Sequence, residues 1–373
     1  MKTMKVAPSV IRAFRRDLAS WFARHRRSLP WRTRRTPYRV WISELMLQQT
    51  RVEQVIPYFR RFMKRFPSVV SLAEAPRQDV LKLWEGLGYY ARARRAQDTA
   101  RYLVREAGGR FPETAEGLLA LPGIGPYTAA AVGSLALGLD MAVVDGNVIR
   151  VLSRVMAYRG DARSPAARRQ FQRWAEDLIV PGRAGESNEA VMELGALCCT
   201  PRNPQCPICP LRRVCKAHAL GRATAFPVQA PRGKVPHKVV GAGVVIGRGR
   251  RVLIAQRKES SMLGGLWEFP GGTREPGETM PQCIARELKE EMGISVMVGP
   301  HLVTVPHAYS HFTIELHTYW AKIRSGRPKT IHCADFAWVK PAELRKYPFS
   351  RADLEIVQCL EKWSGDFPSI GKN

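Results

Sequence analysis

Two neighbouring stretches constrain this chain most: Leu121-Pro-Gly-Ile-Gly-Pro-Tyr-Thr128 and Val143-Val-Asp-Gly-Asn-Val-Ile-Arg150. Leu118 to Leu121 closes a short apolar helix, Pro122-Gly-Ile-Gly125 makes a turn, and Tyr127 to Leu137 opens a second, alanine-rich helix. Gly123 and Gly125 carry no Cβ, so the turn can adopt positive φ and approach another surface closely. The first N–H groups of the second helix have no intrahelical partners, which makes a ready site for a phosphate. The apolar run Met141-Ala-Val-Val144 then delivers Asp145 to the start of a helix from Val148 onward, where Asp145 or Asn147 can cap the free N–H groups. Alone, a glycine turn or a capping Asp is often only structural. Adjacent and in this order, they point to a helical unit that grips one nucleic-acid phosphate without reading sequence.

Charge agrees with a polyanion partner. The formal net charge is +27, from 59 Lys and Arg against 32 Asp and Glu. Up to residue 230 there are 38 basic and 18 acidic residues; beyond it there are 21 and 14. The excess therefore sits with the glycine turn, and binding should weaken with salt. At 373 residues the chain is long enough for about two domains. Met1-Lys-Thr-Met-Lys-Val-Ala7 has no apolar signal core, and no run approaches the ~20 apolar residues of a membrane span. A cytoplasmic protein with no membrane partner is expected. Four of the eight cysteines fall between 199 and 215, which suits metal ligation in a reducing compartment rather than disulfides.

From the N-terminus, residues 8–29 read as an amphipathic helix with Val10, Phe14, Leu18, Trp21 and Phe22 on one face. In Val40-Trp-Ile-Ser-Glu-Leu-Met-Leu-Gln-Gln-Thr-Arg-Val52, Glu44 has Ile42, Leu45 and Met46 around it. Apolar surroundings would desolvate its carboxyl and raise its pKa, leaving an acid able to protonate a leaving base and then act as a base toward water. Helices are expected over 52–64 and 71–83. In Trp84-Glu-Gly-Leu-Gly-Tyr-Tyr-Ala-Arg-Ala-Arg-Arg95, glycines permit close approach, arginines suit phosphates, and an aromatic can wedge between bases. Cys199, Cys206, Cys209 and Cys215 have C-x6-C-x2-C-x5-C spacing, which four thiolates could use for an iron–sulfur cluster or for zinc. Cys198 falls outside that pattern and reads as a buried thiol. Residues 217–238 lose periodicity and gather proline, as a linker does. Strands follow over 239–246, 251–256, 302–305, 313–323 and 336–339. The expected architecture is multidomain: an all-α domain over 1–216, the linker, and an α/β domain over 239–373.

These motifs together resemble the endonuclease III (helix–hairpin–helix) superfamily of base-excision DNA glycosylases, and within it the adenine DNA glycosylase (MutY-type) branch. The resemblance covers about residues 8–360. It implies that Glu44 is the catalytic acid and that Asp145 stabilises the oxocarbenium-like sugar or adds to it, with Asn147 beside it. Trp31, Arg32 and Glu189 fall where the extruded adenine is held, Gln49 and Thr50 where polar side chains enter the duplex, and Tyr89 at an intercalating position. Superfamily members that also cut the strand carry a Lys at position 127, whose amine forms a Schiff base; Tyr127 implies a monofunctional enzyme. The cysteine loop implies a [4Fe–4S] cluster. The implied substrate is double-stranded DNA with adenine opposite 8-oxoguanine or guanine, bound by a monomer.

The C-terminal part carries a second resemblance. Gly272, Glu278, Arg286-Glu-Leu-Lys-Glu-Glu291 and Gly293 fit the complete Nudix box, and Glu287, Glu290 and Glu291 share a helix face, as oxygen ligands for Mg²⁺ would. In adenine DNA glycosylases the corresponding domain resembles a hydrolase of 8-oxo-dGTP, with the box usually degraded, and reads 8-oxoguanine in DNA. Pro306-His-Ala-Tyr-Ser-His311 resembles the lesion-reading loop, with Tyr309 replacing a Phe and Ser310 facing the lesion. A reader of 8-oxoguanine is the expectation. Mg²⁺-dependent hydrolysis of 8-oxo-dGTP, and a lesion-binding protein without turnover, remain alternatives.

Overall fold

The structure, a computed structural model, describes residues 5–231, 233, 235–363, 368 and 370. Met1 to Met4 of the stretch read for a signal, Arg232 and Lys234 of the linker, and most residues after Trp363 lie outside it. The chain forms two compact units, Met1–Ala73 with Asp98–Arg232, and Glu74–Gln97 with Gly233–Asn373.

Helices come first: α1 (Pro8–His25), α2 (Pro37–Leu47), α3 (Val52–Arg65), α4 (Val69–Glu74), α5 (Arg77–Trp84), α6 (Ala91–Ala107), α7 (Ala115–Ala120), α8 (Pro126–Ala136), α9 (Gly146–Met156), α10 (Pro165–Leu178), α11 (Ala184–Leu197) and α12 (Lys216–Ala219). α1 ends sooner than its apolar pattern, because the backbone N–H of Arg27 is captured at 2.8 Å by the Glu193 carboxylate. The helix expected over 71–83 is two, α4 and α5, parted at Pro76. The start of the expected linker is folded: α12 and a 3₁₀ turn at Ala223–Ala225 bury Ala217 and Phe226, whose carbonyl accepts from Arg154 Nε at 3.1 Å.

In the first unit, Phe14, Leu18, Trp21 and Phe22 of α1 pack with Val151, Leu152 and Val155 of α9, Phe171 and Trp174 of α10, and Leu194 of α11. Phe171, Trp174 and Tyr158 meet edge to face. Truncating either Phe171 or Trp174 to Ala should cost about 3–5 kcal/mol. The catalytic candidates stand on a different pair. α2 is buried on nearly every side from Tyr38 to Met46, and it packs against the alanine-rich α8.

The second unit holds β1 (His237–Ile246), β2 (Val252–Arg257), β3 (Trp267–Glu268), β4 (Gly271–Thr273), α13 (Met280–Met292), β5 (Ser295–Ala308), β6 (Thr313–Ser325), β7 (Cys333–Val339) and α14 (Arg351–Glu361). The strand order is β3-β2-β1-β6-β5, with β4 paired to β1 and β7 to β2; β1 and β6 are parallel. Period-two alternation divides the side chains between two cores. Val244, Val252 and Ile254 join Ile356, Val357 and Leu360 of α14, while Val245, Leu253 and Ala255 join Ile284, Leu288 and Met292 of α13. β5 begins well before the expected 302, because its apolar pattern is broken at Gly299-Pro300 and its register shifts between Val298 and His301.

Candidate active site

Glu44 sits in the last turn of α2, and α2's burial takes its side chain largely out of solvent: the residue is 4% exposed. The Tyr127 hydroxyl, from the first turn of α8, donates to Glu44 Oε2 at 2.5 Å. Burial pushes the Glu44 carboxyl up to about 7; the Tyr127 hydrogen bond and Arg32 oppose this, and Asp145 and Glu189 add to it. Tyr127, half-buried beside two carboxylates, is held well above the usual phenol range by desolvation and by those charges, and stays a donor. Asp145 is the N-cap of α9: Oδ1 accepts from Val148 N at 2.7 Å and Oδ2 from Asn147 Nδ2 at 2.8 Å. Burial raises the Asp145 carboxyl too, but these donors and Arg150 pull it back toward the anion. The site thus pairs a carboxylic acid near neutrality with a capped carboxylate.

One cavity of about 340 Å³ brings together Glu44, Tyr127, Asp145, Asn147, Trp31, Arg32, Thr50 and Glu189. Trp31 is buried and meets Phe59 edge to face. Glu189 accepts from Arg32 Nε at 3.0 Å and from Arg35 Nη2 at 2.7 Å. Arg27, Arg35 and Glu193 also line the cavity. These three were not legible in the sequence, since each matters through partners far along the chain. Gln49 is outside the lining; it is exposed, with left-handed φ of 59°. In the turn before α8, Gly123 has φ of 78° and needs glycine's freedom. Gly125 does not: it is the N-cap at φ −92° and, having no side chain, leaves the first N–H groups of α8 without a side-chain cap.

Cys199, Cys206, Cys209 and Cys215 line one small cavity with Cys198, Arg154 and His218, and all are free thiols. Arg154, 1% exposed, donates to Cys199 Sγ at 3.2 Å and to the Thr200 and Pro201 carbonyls at 2.7 and 2.9 Å. In donor type alone, an all-sulfur set beside a buried cation suits an anionic iron–sulfur cluster. Among the described residues, no three or more His, Cys, Asp or Glu side chains are arranged to hold a metal ion.

In the second unit, Tyr89 follows Gly86 and Gly88 in a left-handed turn, has φ of 50° and is 41% exposed. Its hydroxyl makes a hydrogen bond with Ser310 Oγ. Tyr309, next to Ser310, turns inward against Phe312 and His307. On α13, Arg286 pairs with Glu278 at 2.6 Å and with Glu287 and Glu290 at 3.1 Å each. A Cβ on Gly272 would lie 2.3 Å from the Glu287 carboxylate, which would have to swing aside. Burial raises Glu287, and burial with Glu287 nearby pushes Glu291 to about 7. Half-buried Glu268 and buried Asp353, not singled out from sequence, are acids that desolvation pushes up to about 8 and 6, and Arg257 pairs with Glu268.

Residues 42–177 match the family model for an HhH-GPD superfamily base excision DNA repair protein, and residues 241–359 match that for a NUDIX domain. The chain is 36% identical to the adenine DNA glycosylase of Rattus norvegicus, over 94% of this chain and 78% of the relative. The chain belongs to the adenine DNA glycosylase family. A second member, from Buchnera aphidicola subsp. Baizongia pistaciae, is 39% identical over 82% of this chain and 85% of its own. A solved thermostable thymine-DNA glycosylase shares 28% identity with a TM-score of 0.52, covering 57% of this chain and 98% of that one. Membership makes the chain a base-excision DNA N-glycosylase that binds DNA, with a helical glycosylase part followed by a Nudix-like mixed sheet.

Proposed function

We propose that this chain excises adenine paired with 8-oxoguanine or guanine in duplex DNA, acting as a monomer and leaving the strand intact. The observation that carries the reading is the Tyr127-held acid Glu44 sharing one cavity with the capped carboxylate Asp145. With adenine extruded into the cavity, Glu44 gives its proton to a ring nitrogen of the base, N7 in the family's mechanism. The C1′–N9 bond breaks and its electron pair leaves with adenine. Asp145 stabilises the sugar cation, and Glu44, now a base, takes a proton from the water that adds to C1′. Trp31, Arg32 and Glu189 bind the base. Gln49, Thr50 and Tyr89 enter the duplex, and the turn at Gly123 and Gly125 holds a phosphate at the uncapped start of α8.

Cys199, Cys206, Cys209 and Cys215 would hold a [4Fe–4S] cluster, which when bound fixes the loop's shape and does no chemistry on the base. Tyr309 and Ser310 read 8-oxoguanine. The test is a duplex with a single 8-oxoguanine:adenine pair: alkali-dependent cleavage at the adenine by wild type and none by Glu44→Gln supports excision. Tight binding without cleavage by wild type overturns it in favour of a lesion-binding protein.

The complete Nudix box favours a second reading of the C-terminal unit. Glu287, Glu290 and Glu291 would bind Mg²⁺ for hydrolysis of 8-oxo-dGTP. Mg²⁺-dependent pyrophosphate release, lost in Glu290→Gln, would support it, and no release at millimolar Mg²⁺ would remove it.

A further inference from the structure

Glu193 stands one turn after Glu189 on α11 and is 2% exposed, yet neither the acid nor the capped carboxylate touches it. Five donors converge on it. They are the backbone N–H, Nε and Nη2 of Arg27 at 2.8, 3.0 and 3.1 Å, and Nη1 and Nη2 of Arg32 at 3.3 and 3.2 Å. Burial works against its ionisation, but these donors prevail and hold it below the usual carboxylate range. A carboxylate offers about four lone-pair sites, so Glu193 has nothing left for a substrate and can act only through its arginines.

Arg32 is fixed from every side. Nε goes to Glu189, Nη1 to the Arg27 carbonyl at 2.9 Å and to Glu193, Nη2 to Glu193, and the Phe22 ring lies 5.7 Å from the guanidinium carbon. These bonds use four of the five guanidinium hydrogens and leave one on Nη2. Building such a cluster at a cavity wall is a poor route to stability alone, since well-packed apolar side chains do as well or better.

We propose that Glu193 is a positioning residue, locking Arg32 in the cavity wall so that its remaining Nη2 hydrogen meets a ring-nitrogen acceptor of the extruded purine. This rests on the cavity being the base site proposed above. A fork-to-fork pair fixes both the place and the plane of a guanidinium, which a single contact would not.

The experiment is single-turnover excision from an 8-oxoguanine:adenine duplex by wild type, Glu193→Gln, Glu193→Asp, Arg32→Lys and the Glu193→Gln/Arg32→Lys double variant, with melting temperature and duplex affinity measured alongside. Glu193→Gln should slow excision about 10- to 100-fold, as misplacement of a positioning group does, with duplex affinity nearly unchanged and, although the lost ion pair lowers the melting temperature, the protein still fully folded at the assay temperature. Glu193→Asp should recover part of the rate. In the Arg32→Lys background the Gln substitution should cost less than about twofold, because coupled residues are not additive. A wild-type rate in Glu193→Gln overturns the assignment. So do fully additive losses, or a rate loss matched by an equal loss of folding or duplex binding. If wild type itself leaves adenine in place, the base-site reading falls and this one with it.

Discussion

Glu44 is useful only while protonated, and Asp145 only while ionised. Excision should therefore follow a bell-shaped pH profile whose alkaline limb reports the Glu44 carboxyl, pushed up to about 7. The Tyr127 hydrogen bond favours the ionised form of Glu44 and so lowers its pKa. Tyr127→Phe removes it, and the alkaline limb of the single-turnover rate should move to higher pH; a limb that stays or moves down would sink this account. The same residue sets a stability trade. Because the folded pKa lies above the ordinary 4.5, Glu44 favours the folded state fully below that value and loses this contribution as pH rises through about 7. The loss is on the order of 3 kcal/mol. Glu44→Gln keeps the shape and an acceptor for Tyr127 but cannot ionise. Its melting temperature relative to wild type should rise between pH 4.5 and pH 8, and a difference independent of pH would mean that Glu44 ionises freely.

At the scale of elements, Asp145 is both the cap of α9 and the anion of the site. Asn caps a helix about as well as Asp, so Asp145→Asn separates the roles. Excision should fall at least about 100-fold, an electrostatic effect of the size seen when a transition-state charge loses its partner, while melting changes little. A melting loss as large as Ala would cause points to capping alone. The turn before α8 gives a contrast between neighbours. Gly123→Ala forces a Cβ onto left-handed backbone and should destabilise by about 1 kcal/mol. Gly125, at φ −92° and with no atom within 4 Å of where a Cβ would stand, should tolerate Ala. Thermal melting of the two variants decides it; equal losses would contradict the turn geometry. Sequence resolved these elements unevenly, for physical reasons. The glycine turn, the cap and the apolar flanks of Glu44 are local, and each stands where its spacing put it. Contacts between distant residues were not legible. Glu193 ends α1 early by capturing Arg27, and its neighbour Glu189 is already bonded to Arg32 and Arg35. Likewise nothing local separates residues 217–226 from a true linker; Arg154 taking the Phe226 carbonyl is what ties them to α9.

For the whole molecule, charge and chemistry should separate. The net charge of +27 comes from arginines and lysines that are mostly exposed or half-buried, and each phosphate they neutralise releases counterions and makes affinity salt-dependent. Glu44 is buried and Asp145 half-buried, and their proton and charge interact inside a site that salt screens far less. Affinity for undamaged duplex should then fall about 10³-fold or more between 50 and 200 mM salt if roughly six phosphates are neutralised. Single-turnover excision with protein in saturating excess should change by less than about twofold over the same range. The two are measured on the same preparation, by anisotropy and by quenched cleavage at adenine. If the saturated rate falls as steeply as the affinity, surface charge would have to act within the chemical step, and a self-contained acid–carboxylate pair could not be the source of catalysis.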